Sequence, residues 1–394
     1  MKTLTWFYEI IQSTIAPRRE LVNTCLLKDP SEKRHIDHLK RILDELLEIS
    51  SKNKIAVLSI GHDKMIELEL SYEINELQKD LLFLEEGRDA LELMLIKSDP
   101  LFKKESNALI DFLSSQNIDN WITDRDGTIN NYCGRYLSSI QSVYNAVFVS
   151  EFSRTCTQSC ILTSAPLSNG GLIDISVQSS KNMILAGSKG REYLTPNGKI
   201  GSFSIPEEQA LKLRELNREL TRLLEDEQYR IFKLIGSGLQ YKFGQTTIAR
   251  QDVSSSIPEL KSTAFLIKVE NLLKRLDPDN QYFRIEDTGL DIEIILTVSD
   301  SGSDSLKDFD KGDGLSFLNT ELSLNLSDGK TLICGDTFSD LAMVKKSIEI
   351  TGTTIAIFVT TDEKLKKELS RICPKSILVS SPDVLVWSLM SVAD

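Results

Sequence analysis

Two carboxylates, Asp124 and Asp126, stand one residue apart directly after the apolar run Trp121-Ile122-Thr123. A pair at that spacing can divide the labour of phosphoryl transfer: one group bonds covalently to phosphorus while the other moves the proton of the leaving oxygen. Gly127, within Asp124-Arg125-Asp126-Gly127-Thr128, permits the turn that returns both groups to one site. Asp and Gly also make ordinary surface turns, so this motif needs partners elsewhere in the chain. Three segments offer them. Thr163 closes Ile161-Leu162-Thr163, and its hydroxyl can hydrogen-bond a transferring phosphoryl oxygen. Lys311, in Asp310-Lys311-Gly312-Asp313, supplies a cation where negative charge must be neutralised. Gly335-Asp336-Thr337-Phe338-Ser339-Asp340 follows the run ending at Cys334, and its acids Asp336 and Asp340 can hold a hard divalent cation through oxygen.

These residues need elements that end beside one another. The apolar runs Trp121 to Thr123, Cys160 to Thr163, Thr331 to Cys334, Ile355 to Val359 and Ser376 to Val379 are bounded by polar turns. Such runs predict strands buried on both faces of a parallel sheet. Alternation with helical stretches predicts an α/β fold, a Rossmann-like doubly wound core with reactive groups at the carboxyl ends of its strands. Residues 1–115 read instead as helical. Ile36, Leu39, Ile42, Leu43, Leu46 and Leu47 form an amphipathic stripe, and Leu70, Ile74, Leu77, Leu81, Leu84, Leu91 and Leu95 form a longer one. The spacing suits a helical bundle or a short coiled coil, with breaks at Asn53 and Gly61. A packed bundle without chemistry is the plain reading of this segment; self-association or protein binding is compatible with it.

Between about 168 and 305 the texture changes again. Strand-like runs at Leu172 to Val177, Met183 to Ala186, Ile231 to Ile235 and Asp291 to Leu296 surround two amphipathic helices. One helix carries Leu213, Leu216, Leu220 and Leu223; the other carries Phe265, Leu266, Val269, Leu272 and Leu276. The expected organisation is an N-terminal helical domain over 1–115, a core over 116–168 and 306–394, and an α+β cap over 169–305. Ser299 to Asp310 reads as the return linker.

Composition narrows the function. A net charge of −12 over 394 residues argues against a nucleic-acid partner, which needs clustered Lys and Arg. No run of about 18 apolar residues is present, so no membrane span is expected. Glu9 and Gln12 interrupt the apolar N-terminus, against a signal segment. Six scattered cysteines without a CxxC pair read as reduced thiols in a cytoplasmic protein. His35, His38 and His62 all fall in the helical region, against a histidine route or a zinc site in the core.

The ordered set of DxDGT, strand-Thr, Lys and GDxxSD resembles the haloacid dehalogenase superfamily of phosphotransferases. That resemblance implies Asp124 as nucleophile, Asp126 as acid/base, Thr163 and Lys311 as groups orienting the phosphoryl, and Mg²⁺ held by Asp124, the Asp126 carbonyl and Asp336, with Asp340 either a further ligand or a support behind them. Other segments resemble the trehalose-6-phosphate phosphatase family, especially its longer form with an N-terminal helical domain known from nematodes. They are Asn131-Tyr132-Cys133, Leu162 to Leu167, Gly187-Ser188-Lys189-Gly190-Arg191-Glu192, Gly236 to Lys242, Leu290 to Glu293 and Ile333 to Thr337. The likeness implies sugar contacts from Glu192, Lys242 and Glu293, with Ser188 and Arg191 in the same binding set, although Arg191 fits a structural salt bridge equally. Arg125 stands where the family has an apolar or aromatic residue, and Lys189 where shorter relatives have histidine. The Ser-Gly-Arg of those relatives is absent at the second motif. Two rival readings stay open at this point: a phosphatase of another sugar phosphate, such as that of sucrose or glucosylglycerol, and a regulatory scaffold on the same fold.

Overall fold

The computed structural model describes residues 2–30, 33–61, 64–168, 171–176, 183–299 and 306–393. An eight-stranded sheet holds the centre. In spatial order its strands are Ser376–Val379, Thr354–Val359, Thr331–Gly335, Asn120–Thr123, Gln158–Leu162, Met183–Gly187, Glu192–Leu194 and Ile200–Ser202. All run parallel up to Met183–Gly187; Glu192–Leu194 then pairs antiparallel to it, and Ile200–Ser202 pairs antiparallel to Glu192–Leu194 at the edge.

Successive side chains of a strand enter opposite faces, and here each face is a core. Trp121, Ile161, Leu185, Leu332, Ile355 and Ile357 join one apolar cluster with Phe148 and Val384 of the helices Val143–Thr155 and Pro382–Ala393. Ile122, Cys160, Leu162, Ile184, Ile333 and Phe358 join the other, under Leu315, Val344 and Leu365 of helices Lys311–Glu321, Leu341–Thr351 and Glu363–Ile372. Each such Leu, Ile or Phe contributes about 1.5–3 kcal/mol relative to exposure. This two-sided burial is why the sequence shows unbroken apolar runs there, and it yields the expected doubly wound core.

The second sheet is antiparallel, in the order Phe283–Asp287, Asp291–Leu296, Gln245–Ala249, Leu239–Lys242. Helices Glu207–Glu225 and Glu259–Leu276 accompany it, burying Leu216, Leu220, Phe265 and Val269. Phe265 stacks on Phe232 with ring centroids 3.8 Å apart.

Several local expectations need correcting. Leu172–Asp174 forms a 3-10 turn rather than a strand, and Val177 lies outside the described residues. Arg230–Lys233 is likewise a 3-10 turn that buries Ile231 and Phe232, so a short apolar run there marks a core contact, not a strand. The strands Met183–Gly187, Glu192–Leu194 and Ile200–Ser202 extend the central sheet, although the cap was expected from residue 169. The first of these is buried along its whole length, as a strand inside a parallel sheet must be. Within the expected return linker, Val298–Ser299 pairs with Leu306–Lys307, and 300–305 lie outside the described residues.

The N-terminal helices are Leu4–Gln12, Ile15–Leu27, Lys33–Ile49, Ser71–Glu86, Arg88–Ser98 and Phe102–Ser114. Asn53 and Gly61 do not separate helices but flank and end the first strand of a hairpin, Ile55–Gly61 with Lys64–Glu69. Its alternation explains it: Ala56, Leu58, Ile66 and Leu68 are buried while Ile55, Val57 and Met65 are exposed. The leucine stripe is not one coiled-coil helix, because Gly87 at φ +87° breaks it between Glu86 and Arg88. These helices share a core with the central sheet, Phe102 meeting Trp387 at 5.9 Å between ring centroids. Buried ion pairs fix their register: Arg18 to Asp80 at 2.6 Å and Lys79 to Asp383 at 2.7 Å. Among the described residues no disulfide forms, and no helix is long and apolar enough to cross a membrane.

Candidate active site

Four chain segments meet at the carboxyl ends of the central strands. Asp124 leaves Asn120–Thr123 with its N–H donated to the Cys334 carbonyl at 3.0 Å, which locks two strand ends together. Lys311 is the first residue of its helix, whose start is fixed by a capping box between Asp310 and Asp313. Its ammonium donates to Asp124 Oδ1 and to Asp340 Oδ1, each at 2.6 Å, with all three residues buried. Asp340 Oδ2 accepts the N–H of Asp336 at 3.0 Å, the N–H of Thr337 at 2.9 Å and the Thr337 hydroxyl at 3.0 Å. Thr128 donates to Asp336 Oδ1 at 3.2 Å. Thr163 lines the same cleft.

Gly127 is required for this closure. It sits at φ +85°, and a Cβ there would lie 2.1 Å from Asp336 Oδ2. The turn therefore passes directly against the third carboxylate.

Carboxylate oxygens of Asp124, Asp336 and Asp340 lie within 4.8 Å of one another. Burial raises the Asp124 carboxyl to about 6, with Asp340 adding to the rise and Lys311 opposing it. Asp336 is pushed up to about 9 by burial and by the charges of Asp124 and Asp340. Burial acts to raise Asp340 too, but Lys311 and two backbone N–H groups hold it below the usual carboxylate range. Once fully ionised, three carboxylates against one ammonium carry two negative charges in excess, the charge of one divalent cation. A hard cation taking oxygen ligands fits this set.

Asp126 faces the cleft, its Oδ1 accepting from Ser139 Oγ at 2.9 Å and from Asn130 Nδ2 at 3.4 Å. Arg125, whose role the sequence left unexplained, is buried behind it. Its Nη2 donates to the Ser139 carbonyl at 2.5 Å and its Nη1 lies 3.3 Å from Asp126 Oδ2. Arg125 thus braces the loop that holds Asp126.

The cleft has a volume of about 330 Å³. Its core side carries Asp124, Asp126, Thr163, Lys311 and Asp336; its cap side carries Ser237, Gln240, Lys242, Asp291 and Glu293. A larger groove of about 800 Å³ runs past Lys311 along Lys345, Lys346 and Lys364, but Asp124, Asp126 and Thr163 do not line it. Of the expected sugar contacts, Lys242 and Glu293 line this cleft. Lys242 is 8% exposed, and among the described residues its ammonium makes no hydrogen bond or ion pair. Burial depresses its pKa, with Glu293 opposing and Lys189 reinforcing that shift.

The other three expected sugar contacts lie outside the cleft lining. Arg191 donates to the carbonyls of Gly244 at 2.5 Å and Leu296 at 3.0 Å, and its guanidinium covers the Phe309 ring at 4.7 Å. It ties the edge of the central sheet to the cap, and among the described residues it makes no salt bridge of the kind the sequence suggested as its alternative. Ser188 donates to Glu192 Oε1 at 2.6 Å and accepts the Phe243 N–H at 2.9 Å. Glu192 also accepts the Leu167 N–H at 2.9 Å. Sequence reasoning missed Asn130, Ser139, Gln240 and Asp291. Asn130 adjoins a segment already singled out and Gln240 and Asp291 lie within two others, but none was named for a role; nothing in sequence marks Ser139.

A family model described as the C-terminal domain of trehalose-6-phosphate phosphatase matches residues 121–385. A second, its N-terminal helical bundle domain, matches residues 3–93. The chain is 32% identical to a Caenorhabditis elegans trehalose-phosphatase over 67% of this chain and 61% of that one. A trehalose-phosphatase of Brugia malayi is also 32% identical, over 70% of this chain and 57% of its own. An Aphelenchoides avenae alpha,alpha-trehalose-phosphate synthase is 30% identical over 99% of this chain, which spans only 32% of that relative. A solved Aspergillus fumigatus trehalose-6-phosphate phosphatase aligns over 73% of this chain and 97% of its own, at 12% identity and a TM-score of 0.42. With the C-terminal model matched from the first strand of the site to the last helix, the chain belongs to the trehalose-6-phosphate phosphatase family.

Proposed function

We propose that the chain hydrolyses trehalose 6-phosphate to trehalose and phosphate, with Asp124 as covalent nucleophile and Asp126 as acid/base. What carries this reading is the convergence of Asp124, Asp126, Thr163, Lys311 and Asp336 on a cleft that Lys242 and Glu293 face from the cap. In the first step an Asp124 oxygen bonds to phosphorus while the bond from phosphorus to the sugar oxygen breaks, and Asp126 delivers its proton to that oxygen. In the second, Asp126 takes a proton from water, whose oxygen bonds to phosphorus and releases phosphate and Asp124. Lys311 and Thr163 hold the phosphoryl oxygens. Asp124, the Asp126 carbonyl and Asp336 would hold Mg²⁺, which when bound offsets the phosphoryl charge. Asp340, with every oxygen already taken by protein donors, anchors Lys311.

On the cap, Lys242 donates to sugar hydroxyls and Glu293 accepts from them. Glu192, Ser188 and Arg191 shape the sheet edge and the seat of the cap. Buried thiols and the lack of a disulfide among the described residues fit a reducing, cytoplasmic setting. Self-association through the N-terminal helices is a separate proposal, tested by the oligomeric state of the full chain with and without exposed-face substitutions such as Leu93→Glu.

Phosphate release should be measured on the phosphates of trehalose, sucrose and glucosylglycerol, with Mg²⁺ and with chelator. Preference for the trehalose ester and loss on chelation are expected. Equal rates on all three would overturn the substrate; no release from any would favour the scaffold reading.

A further inference from the structure

We propose that Tyr72, on the N-terminal helix Ser71–Glu86, is a positioning residue for Asp126, acting through Asn130 and the Ser139-Ile140 segment. The inference rests on the assignment of Asp126 as the acid/base group.

The two donors that hold Asp126 Oδ1 come from an irregular stretch. Between Thr128 and Ser142 the only helical turn is the 3-10 turn Tyr136–Ser138. Asn130 Nδ2 also donates to Ser139 Oγ at 3.2 Å, so the donors form one unit. A loop of this kind keeps a fixed geometry only when something outside it grips both ends.

Tyr72 provides that grip. Its hydroxyl lies 3.0 Å from the Ile140 carbonyl and 3.2 Å from Asn130 Oδ1, sharing one proton between the two limbs of the loop. The residue is buried, so both contacts act in a low-dielectric setting where a hydrogen bond orients strongly.

The rest of the helix face repeats the pattern. Glu73 takes Arg135 Nη2 on both oxygens at 2.9 Å. Glu76 accepts from Asn131 at 3.2 Å, and Asp80 accepts the Val143 N–H at 2.5 Å. Positions 72, 76 and 80 share one helical face with 73 beside them. Buried acids are costly unless they are paired, and here each is paired with the loop that carries the acid/base group or with the helix that follows it. This links Tyr72 to a carboxylate 54 residues later in the chain (126 − 72) without touching the substrate.

The test uses the full chain, with phosphate release from trehalose 6-phosphate as the readout. Tyr72→Phe keeps the ring and removes only the hydroxyl. It should lower kcat about 10- to 100-fold, a fraction of what a general acid/base contributes. KM should hardly change, since the interaction is realised in the transition state. Asn130→Ala should reproduce the loss, and adding Tyr72→Phe to it should cost little more, because the two act as one unit. Ser391→Ala removes another contact between the N-terminal helices and the core, from Arg88 Nη2 at 2.8 Å, and should leave kcat unchanged. Wild-type kcat in Tyr72→Phe overturns the proposal, as does a loss fully additive with Asn130→Ala. If Tyr72→Phe does not fold, wild-type kcat in both Asn130→Ala and Ser139→Ala overturns it. Asp126→Asn separates the two levels: an active Asp126→Asn protein sinks the acid/base assignment. An inactive one beside an unaffected Tyr72→Phe sinks only the positioning role.

Discussion

The two walls of the cleft are built on opposite terms. On the core wall most charged groups answer one another: Lys311 holds two carboxylates and Asp340 takes donors on both oxygens, while Asp336 has the Thr128 hydroxyl and awaits a cation. On the cap wall, among the described residues, Lys242 makes no hydrogen bond or ion pair and Asp291 Oδ1 has no partner, although Glu293 lies 3.8 Å from Lys189 and Asp291 Oδ2 accepts from Ser237. Preorganised charge lowers a barrier because nothing has to reorient as the reaction proceeds. Unanswered donors and acceptors do the reverse: they wait for a ligand to satisfy them and discriminate against one that cannot. On the proposed mechanism, chemistry is thus largely set in the resting fold, and recognition is left to the substrate.

Substitutions can break this contrast. Asp124→Asn should reduce kcat by about three orders of magnitude or more on every phosphate ester, as loss of a nucleophile does; retention of activity in stopped assays would remove it from the mechanism. Next in size, Lys311→Ala leaves Asp124 and Asp340 buried without their cation. It should cost about 3–5 kcal/mol of stability, read by denaturant unfolding, as breaking a buried pair does. Lys242→Ala should behave differently. We expect kcat/KM for the sugar ester to fall about 30-fold, the equivalent of roughly 2 kcal/mol for a charged hydrogen bond. Its thermal midpoint should fall far less, since no hydrogen bond or ion pair to Lys242 is lost; a midpoint falling as far as that of Lys311→Ala would erase the contrast.

The smallest effect concerns protons. With Asp124 raised to about 6 and Asp336 to about 9, both carboxyls bind protons at higher pH than ordinary carboxylates. A cation must displace those protons, so apparent Mg²⁺ affinity should rise with pH, by about tenfold per pH unit for each proton displaced. Calorimetry in buffers of different ionisation enthalpy reads the proton release directly; none at pH 7 would show the carboxyls already ionised.

The core wall was more legible in the sequence than the cap wall, for a physical reason. Strands buried on both faces must be unbroken apolar runs, so their ends, and Asp124, Thr163 and Asp336 just past them, stand out. The supports of Asp126 are different. Asn130 and Ser139 act through a loop, and Tyr72 reaches them from another part of the chain, so no local period announces them. Glu192 and Arg191 were read toward the sugar because the family likeness implied it. Arg191 instead satisfies two carbonyls where sheet edge and cap meet, a need visible only once both backbones are in place. The hairpin Ile55–Gly61 with Lys64–Glu69 was read as a gap between helices because its period-two signal is short beside the leucine stripes around it.

Gly127 has a genetic consequence. Since its missing side chain is the space Asp336 occupies, one added methyl group should silence the protein while leaving every reactive group encoded. A Gly127→Ala allele would therefore separate the need for catalysis in a cell from the need for the folded chain, without altering the charge of the site.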